Sequence, residues 1–231
     1  MLLGVLALPV TGVLVLLFWQ NANKKQAAIV ALIGEGLALL ITCLLLPELR
    51  HSEAIQFSLT WIANLEINFS LELNGLSLVF LVTEILVTLV AIIYSLGEDT
   101  GERSSNYYYA LLVLFSLGMS GTTLAEDVFV FYIFWELMLL ASVLLILIWG
   151  HGEQRGRVSL KYFIITHLGS LIVLVGLIML TVNLGTSSIN GLVEKAGTLP
   201  LSMQTTLTAL FLIGFSVKMA IFPLHIWLPD A

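Results

Sequence analysis

Apolar residues run along this chain in seven long stretches: Leu2–Trp19, Ala27–Leu46, Leu76–Leu96, Tyr107–Leu124, Val128–Trp149, Tyr162–Leu184 and roughly Leu207–Leu224. Each is near the roughly 20 residues that a helix needs to cross a bilayer core, and none alternates as a barrel strand would. Polar, Gly-rich breaks at 20–26, 97–106 and 150–159 separate them, whereas only Ala125-Glu126-Asp127 parts the fourth from the fifth, which predicts a tight helical hairpin. The long connection 47–75 differs. Phe57 to Ile62 and Ile67 to Leu73 alternate apolar with polar, the period of a half-buried strand, and Asn74-Gly75 is a turn signal. A short outer β-hairpin is expected at 50–75, capping three helices in 1–100, and a short interfacial helix over 187–196. The expected fold is an all-α polytopic membrane bundle of about seven helices.

Composition agrees with that pattern. Of 231 residues 59% are hydrophobic and 10% charged, with a mean hydropathy of +1.04, too few charges to cover a water-soluble surface. The net charge of −6 excludes a basic nucleic-acid-binding domain. One cysteine, Cys43, lies in an apolar run, so no disulfide framework or thiolate metal site is expected. The first stretch lacks a charged leader and a small-residue cleavage site, so it reads as a span rather than a signal peptide. Lys24, Lys25, Arg103, Arg155, Arg157 and Lys161 fall in the first, third and fifth connections, against Arg50 and Lys195 in the others. The basic loops mark the cytoplasmic side, so the N-terminus is expected outside.

Ionisable residues inside spans are costly and therefore informative. Glu35, Glu84, Glu136 and Lys218 lie well inside, His167 joins them in the sixth span, and Lys161 sits at that span's start, where it either snorkels to the interface or belongs to a proton path. Neither Glu136 nor Lys218 has an opposite charge within a turn of its own helix, so the two make a natural pair. Such a pair can load and release a proton as its separation changes; the alternative is a static ion pair that fixes helix packing. Pro223 follows Lys218 closely and should kink or unwind the seventh span just beyond the lysine, as in helices that line hydrated cavities. His225 lies past the break, either as a relay or as a hydrogen-bond partner for a freed carbonyl. His167 likewise is a relay or a packing residue. Glu35, between Gly34 and Gly36, suits a close helix contact more than a proton site. Glu84 is a second-rank proton site without a named partner. No Cys or His cluster, Walker loop or dinucleotide fingerprint is present, so no cofactor and no redox site are expected in this chain.

Phe134-Trp135-Glu136-Leu137-Met138, then Lys161-Tyr162-Phe163, then Lys218 followed by Phe222-Pro223-Leu224-His225-Ile226-Trp227-Leu228-Pro229-Asp230-Ala231 resemble the proton-translocating antiporter-like membrane subunits. These occur in respiratory complex I (NADH:quinone oxidoreductase), Mrp-type antiporters and energy-converting hydrogenases. Leu73-Asn74-Gly75-Leu76-Ser77-Leu78 is similar to the family's Asp-Gly-Leu-Ser-Leu segment, with Asn74 in place of the acid. The resemblance implies that Glu136 and Lys218 are the family's glutamate–lysine pair, that 107–231 is the first half of a proton-translocating repeat, and that redox energy or a sodium gradient is converted by proton movement. It implies partners as well: other membrane subunits, related antiporter-like chains and a second repeat absent here. Because the sequence stops mid-motif, a split subunit or a truncation is expected. The setting implied is a bacterial or archaeal plasma membrane, with an inner or thylakoid-type membrane as the alternative.

Two readings of other classes compete: a non-pumping assembly subunit whose buried charges only fix helix contacts, and a solute transporter. The second is weaker because no span carries a polar cluster suited to a solute. The parent complex, and whether Na⁺ is carried, are not legible in the sequence.

Overall fold

A computed structural model describes residues 1–19, 21–63, 67–97, 105–150 and 152–229. Arg103, Asp230 and Ala231, used above, lie outside the described residues. The seven apolar stretches are all helices: α1 (Leu2–Phe18), α2 (Lys24–Leu49), α3 (Gly75–Ser95), α4 (Ser105–Leu124), α5 (Val128–Trp149), α6 (Arg155–Leu184) and, after the short α7 (Ile189–Lys195), α8 (Leu201–Lys218). Six of them are long and apolar enough to cross a membrane, and α1 adds a shorter apolar helix of 17 residues. At 1.5 Å per residue α1 spans about 25 Å, just short of a hydrocarbon core. The chain is thus an integral, polytopic helical membrane protein.

Strands β1 (Ala54–Ile62) and β2 (Ile67–Asn74) pair antiparallel as the expected hairpin. Asn74-Gly75, the turn signal that closes the second run, marks the start of a helix. The Asn74 side chain accepts from the backbone N–H of Leu76 and Ser77, and Ser77 Oγ accepts from the Asn74 N–H, so a capping box carries β2 directly into α3. The α6 helix begins at Arg155, well before Tyr162, because Arg155–Lys161 continue helically past the apolar segment.

The seventh span, α8, runs from Leu201 and stops at Lys218, six residues short of the expected end. Pro223 does not make that stop itself. Ala220 adopts a left-handed φ of 52°, its N–H reaches the Val217 carbonyl at 3.3 Å, and the Ile221 N–H reaches Ser216 at 3.0 Å. That is a Schellman closure with alanine where glycine is usual. Pro223 follows, and residues 222–229 continue as turns.

Helix packing follows small residues. A Cβ on Gly118 or Gly121 of α4 would strike Met138 or Phe134 of α5, and one on Gly169 of α6 would lie 2.7 Å from Val217 Cβ of α8. The connections sort to two ends. At one end the Lys24 ammonium donates to the Leu96 carbonyl at 3.3 Å, and the Asn106 amide donates to the Trp19 carbonyl. At the other, Glu126 N–H donates to Ser70 of β2 at 2.9 Å, and Ile189 N–H of α7 donates to the Glu126 carbonyl at 2.7 Å. Glu72 gathers Gln56, Asn74 and Asn190 there at 2.7–3.0 Å. Hairpin, α4–α5 turn and α7 form one knit surface.

Candidate functional site

Asp127 starts α5 by accepting from the N–H of Phe129 at 2.8 Å and Val130 at 3.3 Å, which fixes the register that carries Glu136 to the third turn. From there the carboxylate faces α6. His167 Nδ1–H donates to Oε2 at 2.9 Å and Ser170 Oγ donates to Oε1 at 2.5 Å. His167 and Ser170 are three apart, so both present to the same face of α6. Phe163 stacks on the His167 ring, with centroids 5.2 Å apart and planes 9° from parallel, and so sets its orientation. The Tyr132 hydroxyl, one turn before Glu136, adjoins the same Ser170 and Glu136.

Lys218 reaches this junction from the end of α8, but not as a contact partner of Glu136. Its Nζ is buried, has no hydrogen-bond partner, and lies 5.7 Å from the centroid of the Trp135 ring. Glu136 acts on it through space. Trp135 is itself held between Phe131 and Phe215, with centroids at 5.2 and 5.5 Å. Among the described residues, the basic side chain in contact with Glu136 is His167. The expected Glu136–Lys218 pair is therefore an adjacent acid and base, each with another neighbour in this conformation.

The broken end of α8 is tied down by Trp227 of the Pro-Leu-His-Ile-Trp motif. Trp227 donates its indole N–H to the Val217 carbonyl at 3.0 Å and packs on Tyr162 at 5.1 Å, while the Tyr162 hydroxyl pairs with Ser142 at 2.9 Å. The Val217 carbonyl, which also accepts from the Ala220 N–H, is thus shared with Trp227. His225 Nδ1 is buried without a partner, its ring 5.4 Å from Phe222. Lys161 stands six residues before His167, about 9 Å along α6 and about a third of a turn away, so it shares no face with the histidine. Ser170 and Tyr132 were legible in principle, as polar residues at helical spacing from His167 and Glu136.

Glu84 and Glu35 lie elsewhere, among α2, α3 and α4. Ser120 donates to Glu84 Oε1. Glu35, expected at a close helix contact, is 0% exposed, and its oxygens have no partner of normal hydrogen-bond geometry. Gly34 beside it approaches α1, 3.6 Å from the Leu8 carbonyl, while Gly36 meets nothing within 4 Å. No group of three His, Cys, Asp or Glu residues fit for a metal ion occurs among the described residues.

Comparison with known proteins is consistent across sequence and structure. Residues 125–231 match the family model described as NADH:quinone oxidoreductase/Mrp antiporter, TM. A Staphylococcus aureus protein named as antiporter subunit mnhA2 is 31% identical over 97% of this chain and 28% of its own length. The chain thus spans little more than a quarter of the curated relatives it matches. Among solved structures, the Mrp complex from Dietzia sp. gives a TM-score of 0.86 at 25% identity, over 99% of this chain and 25% of that one. Respiratory complex I from Thermus thermophilus gives 0.84 at 25% identity, over 100% of this chain and 46% of that one. An archaeal membrane-bound sulfane sulfur reductase gives 0.83 at 26% identity, over 98% and 35%.

Proposed function

We propose, on the premise that this chain belongs to the antiporter-like membrane subunits of the Mrp and complex I type, that it moves protons across the membrane within a multi-subunit complex. Glu136 holds the proton between His167 and Ser170, and Lys218 is the movable charge that drives it on. One observation carries this reading: a buried lysine Nζ with no hydrogen bond, at the end of a broken helix, beside a carboxylate already engaged by histidine. Lys218 has two seats within reach, the Trp135 face and the Glu136 carboxylate. Occupying the second competes with His167 for the carboxylate, and the exchange of partners displaces a proton toward or away from the histidine. Residues 219–229 continue as turns rather than helix, so the Trp227 bond to Val217 must loosen when Lys218 changes seat.

The chain brings no redox group of its own under this proposal, so any electron transfer takes place in partner subunits. The basic connections face the cytoplasm of a bacterial or archaeal plasma membrane, and the N-terminus faces outside. A second reading, an Mrp-type cation/proton antiporter in place of a redox-driven pump, is supported by the 31% identity to mnhA2. The test is the full complex reconstituted in vesicles and carrying Lys218→Met. Loss of about a hundredfold in transport with intact assembly is expected; normal transport overturns the proposal. Driving the same vesicles with a Na⁺ gradient or with an electron donor separates the two parent types.

A further inference from the structure

Away from Glu136, three helices enclose a second acidic group that the proposed proton path does not use. Glu35 stands at the middle of α2, 0% exposed, with Oε1 and Oε2 both buried and unpartnered. Glu84 stands at the middle of α3; Oε1 takes the Ser120 hydroxyl, and Oε2 is buried and unpartnered. Glu35 and Glu84 act on one another through space. Ser116, one turn before Ser120 on α4, lies beside Glu35, is 1% exposed, and has no partner for its hydroxyl. Four buried oxygens from three helices thus lack a hydrogen bond of normal geometry, with Glu35 beside Ser116 and Glu84 beside Ser120 one turn away.

The protein supplies no counter-charge there. Helices α1, α3 and α4 contain no Lys, Arg or His. In α2 the basic residues are Lys24 and Lys25 at its start, about 15 Å along the axis from Glu35; Arg50 and His51 lie past its far end. The nearest other titratable group on α4, Tyr109, is turned to Ser95 at 3.1 Å. The same three helices contribute Ala38, Leu81, Ile85 and Leu117 to a buried hydrophobic cluster. Two carboxylates in such surroundings are several kcal/mol too costly without a compensating positive charge.

We propose that Glu35, Glu84, Ser116 and Ser120 form a cation-binding site, separate from Glu136, that takes one monovalent cation from solution. The donor set is oxygen only, which suits a hard cation. Four free oxygens in an apolar enclosure fall short of the six to eight ligands that calcium takes and leave little room for the waters that magnesium keeps. A proton or a dehydrated Na⁺ meets the same requirement. The site backs onto the Glu136 region through α4: Ser116 and Ser120 face α2 and α3, while Gly118 and Gly121 face Met138 and Phe134 of α5. The proposal stands whether or not Glu136 and Lys218 pump.

The experiment uses the full complex in lipid nanodiscs, as wild type, Glu35→Gln, Glu84→Gln and the milder Ser116→Ala. Thermal unfolding is followed in NaCl against choline chloride at equal ionic strength, and the carboxylic-acid C=O stretch is followed by infrared difference spectroscopy. A Na⁺-specific stabilisation whose half-saturating concentration rises about tenfold or more in the Gln variants identifies Na⁺ as the ligand. A carboxylic-acid band that is insensitive to Na⁺, disappears in the Gln variants and shifts in Ser116→Ala identifies a proton. Absence of both effects in the wild type, with the complex intact, overturns the site.

Discussion

Gly118→Ala tests the packing that sets Glu136 in place. The added Cβ would lie 2.7 Å from both the backbone nitrogen and the Cβ of Met138, and 2.8 Å from its Cα. Carbon atoms pack best at about 3.5–4.0 Å, so α4 and α5 must separate by about 1 Å, and backbone cannot swing aside as a side-chain tip can. Overpacking of this kind costs about 1–3 kcal/mol, against about 0.5–1 kcal/mol gained by replacing glycine inside a helix. Because the clash is with backbone, the cost lies at the upper end, and the net expectation is destabilisation by about 2 kcal/mol. Met138 follows Glu136 by two residues, so the carboxylate moves with it. A misplacement of about 1 Å in a reacting group can cost about a hundredfold in rate. Gly36→Ala is the control, since its Cβ meets nothing within 4 Å; it should stabilise by about 0.5–1 kcal/mol and leave transport unchanged. The assays are thermal unfolding of the purified complex and ΔpH formation in vesicles. If Gly118→Ala proves as stable as wild type, or the two alanine variants rank the other way, the helix contact argued here is wrong.

Stepwise fluorination of Trp135 weakens the negative face of its ring with little change of shape. If Lys218 rests on that face, transport should change monotonically with fluorine number, up to about tenfold in total; a flat response contradicts the seat. At the hairpin end, burial pushes the Glu72 carboxyl up, but hydrogen bonds from Gln56, Asn74 and Asn190 outweigh it and leave the group below its ordinary value of 4.5. A depressed carboxyl stabilises the fold above its unfolded-state value, and that stability disappears as the pH falls through the lower folded value. Hydrogen exchange of the β2 amides should therefore stay slow at neutral pH and accelerate only in acid, below the ordinary glutamate range. Glu72→Gln should accelerate exchange at neutral pH and flatten the acid dependence; an unchanged profile refutes the role.

Much of this architecture was legible in residue pattern. Unbroken apolar runs located all seven long helices, period-2 alternation located the hairpin, and Lys218 followed by Pro223 located the break. Helix faces were not legible, for a physical reason. In a bilayer both the packed side and the lipid side of a helix are apolar, so hydropathy does not separate buried Leu45 from exposed Leu44 on α2. Partners across helices were hidden for the same cause. Glu136 and Lys218 stood out as isolated charges, yet whether they touch depends on helix rotation, and rotation gave Glu136 to His167 and Ser170. The glycines flanking Glu35 suggested a contact face. One of them does approach α1, but the side chain between them points into the α2–α4 interior. Alanine at a left-handed helix end carries no sequence signal, so the Ala220 closure was assigned to the nearby proline.

The central claim is that Glu136 carries the transported proton, and one measurement addresses it directly. The full complex bearing Glu136→Gln is reconstituted in vesicles, and the initial rate of ΔpH formation is compared with wild type and with Glu136→Asp at equal protein content. The amide keeps the shape of the side chain and one accepting oxygen for Ser170, but its NH2 meets His167 only where Nδ1 is unprotonated, and it cannot exchange a proton. A fall of about a hundredfold or more is expected for Glu136→Gln, with partial activity in Glu136→Asp and normal assembly of both. A wild-type rate for Glu136→Gln would contradict it.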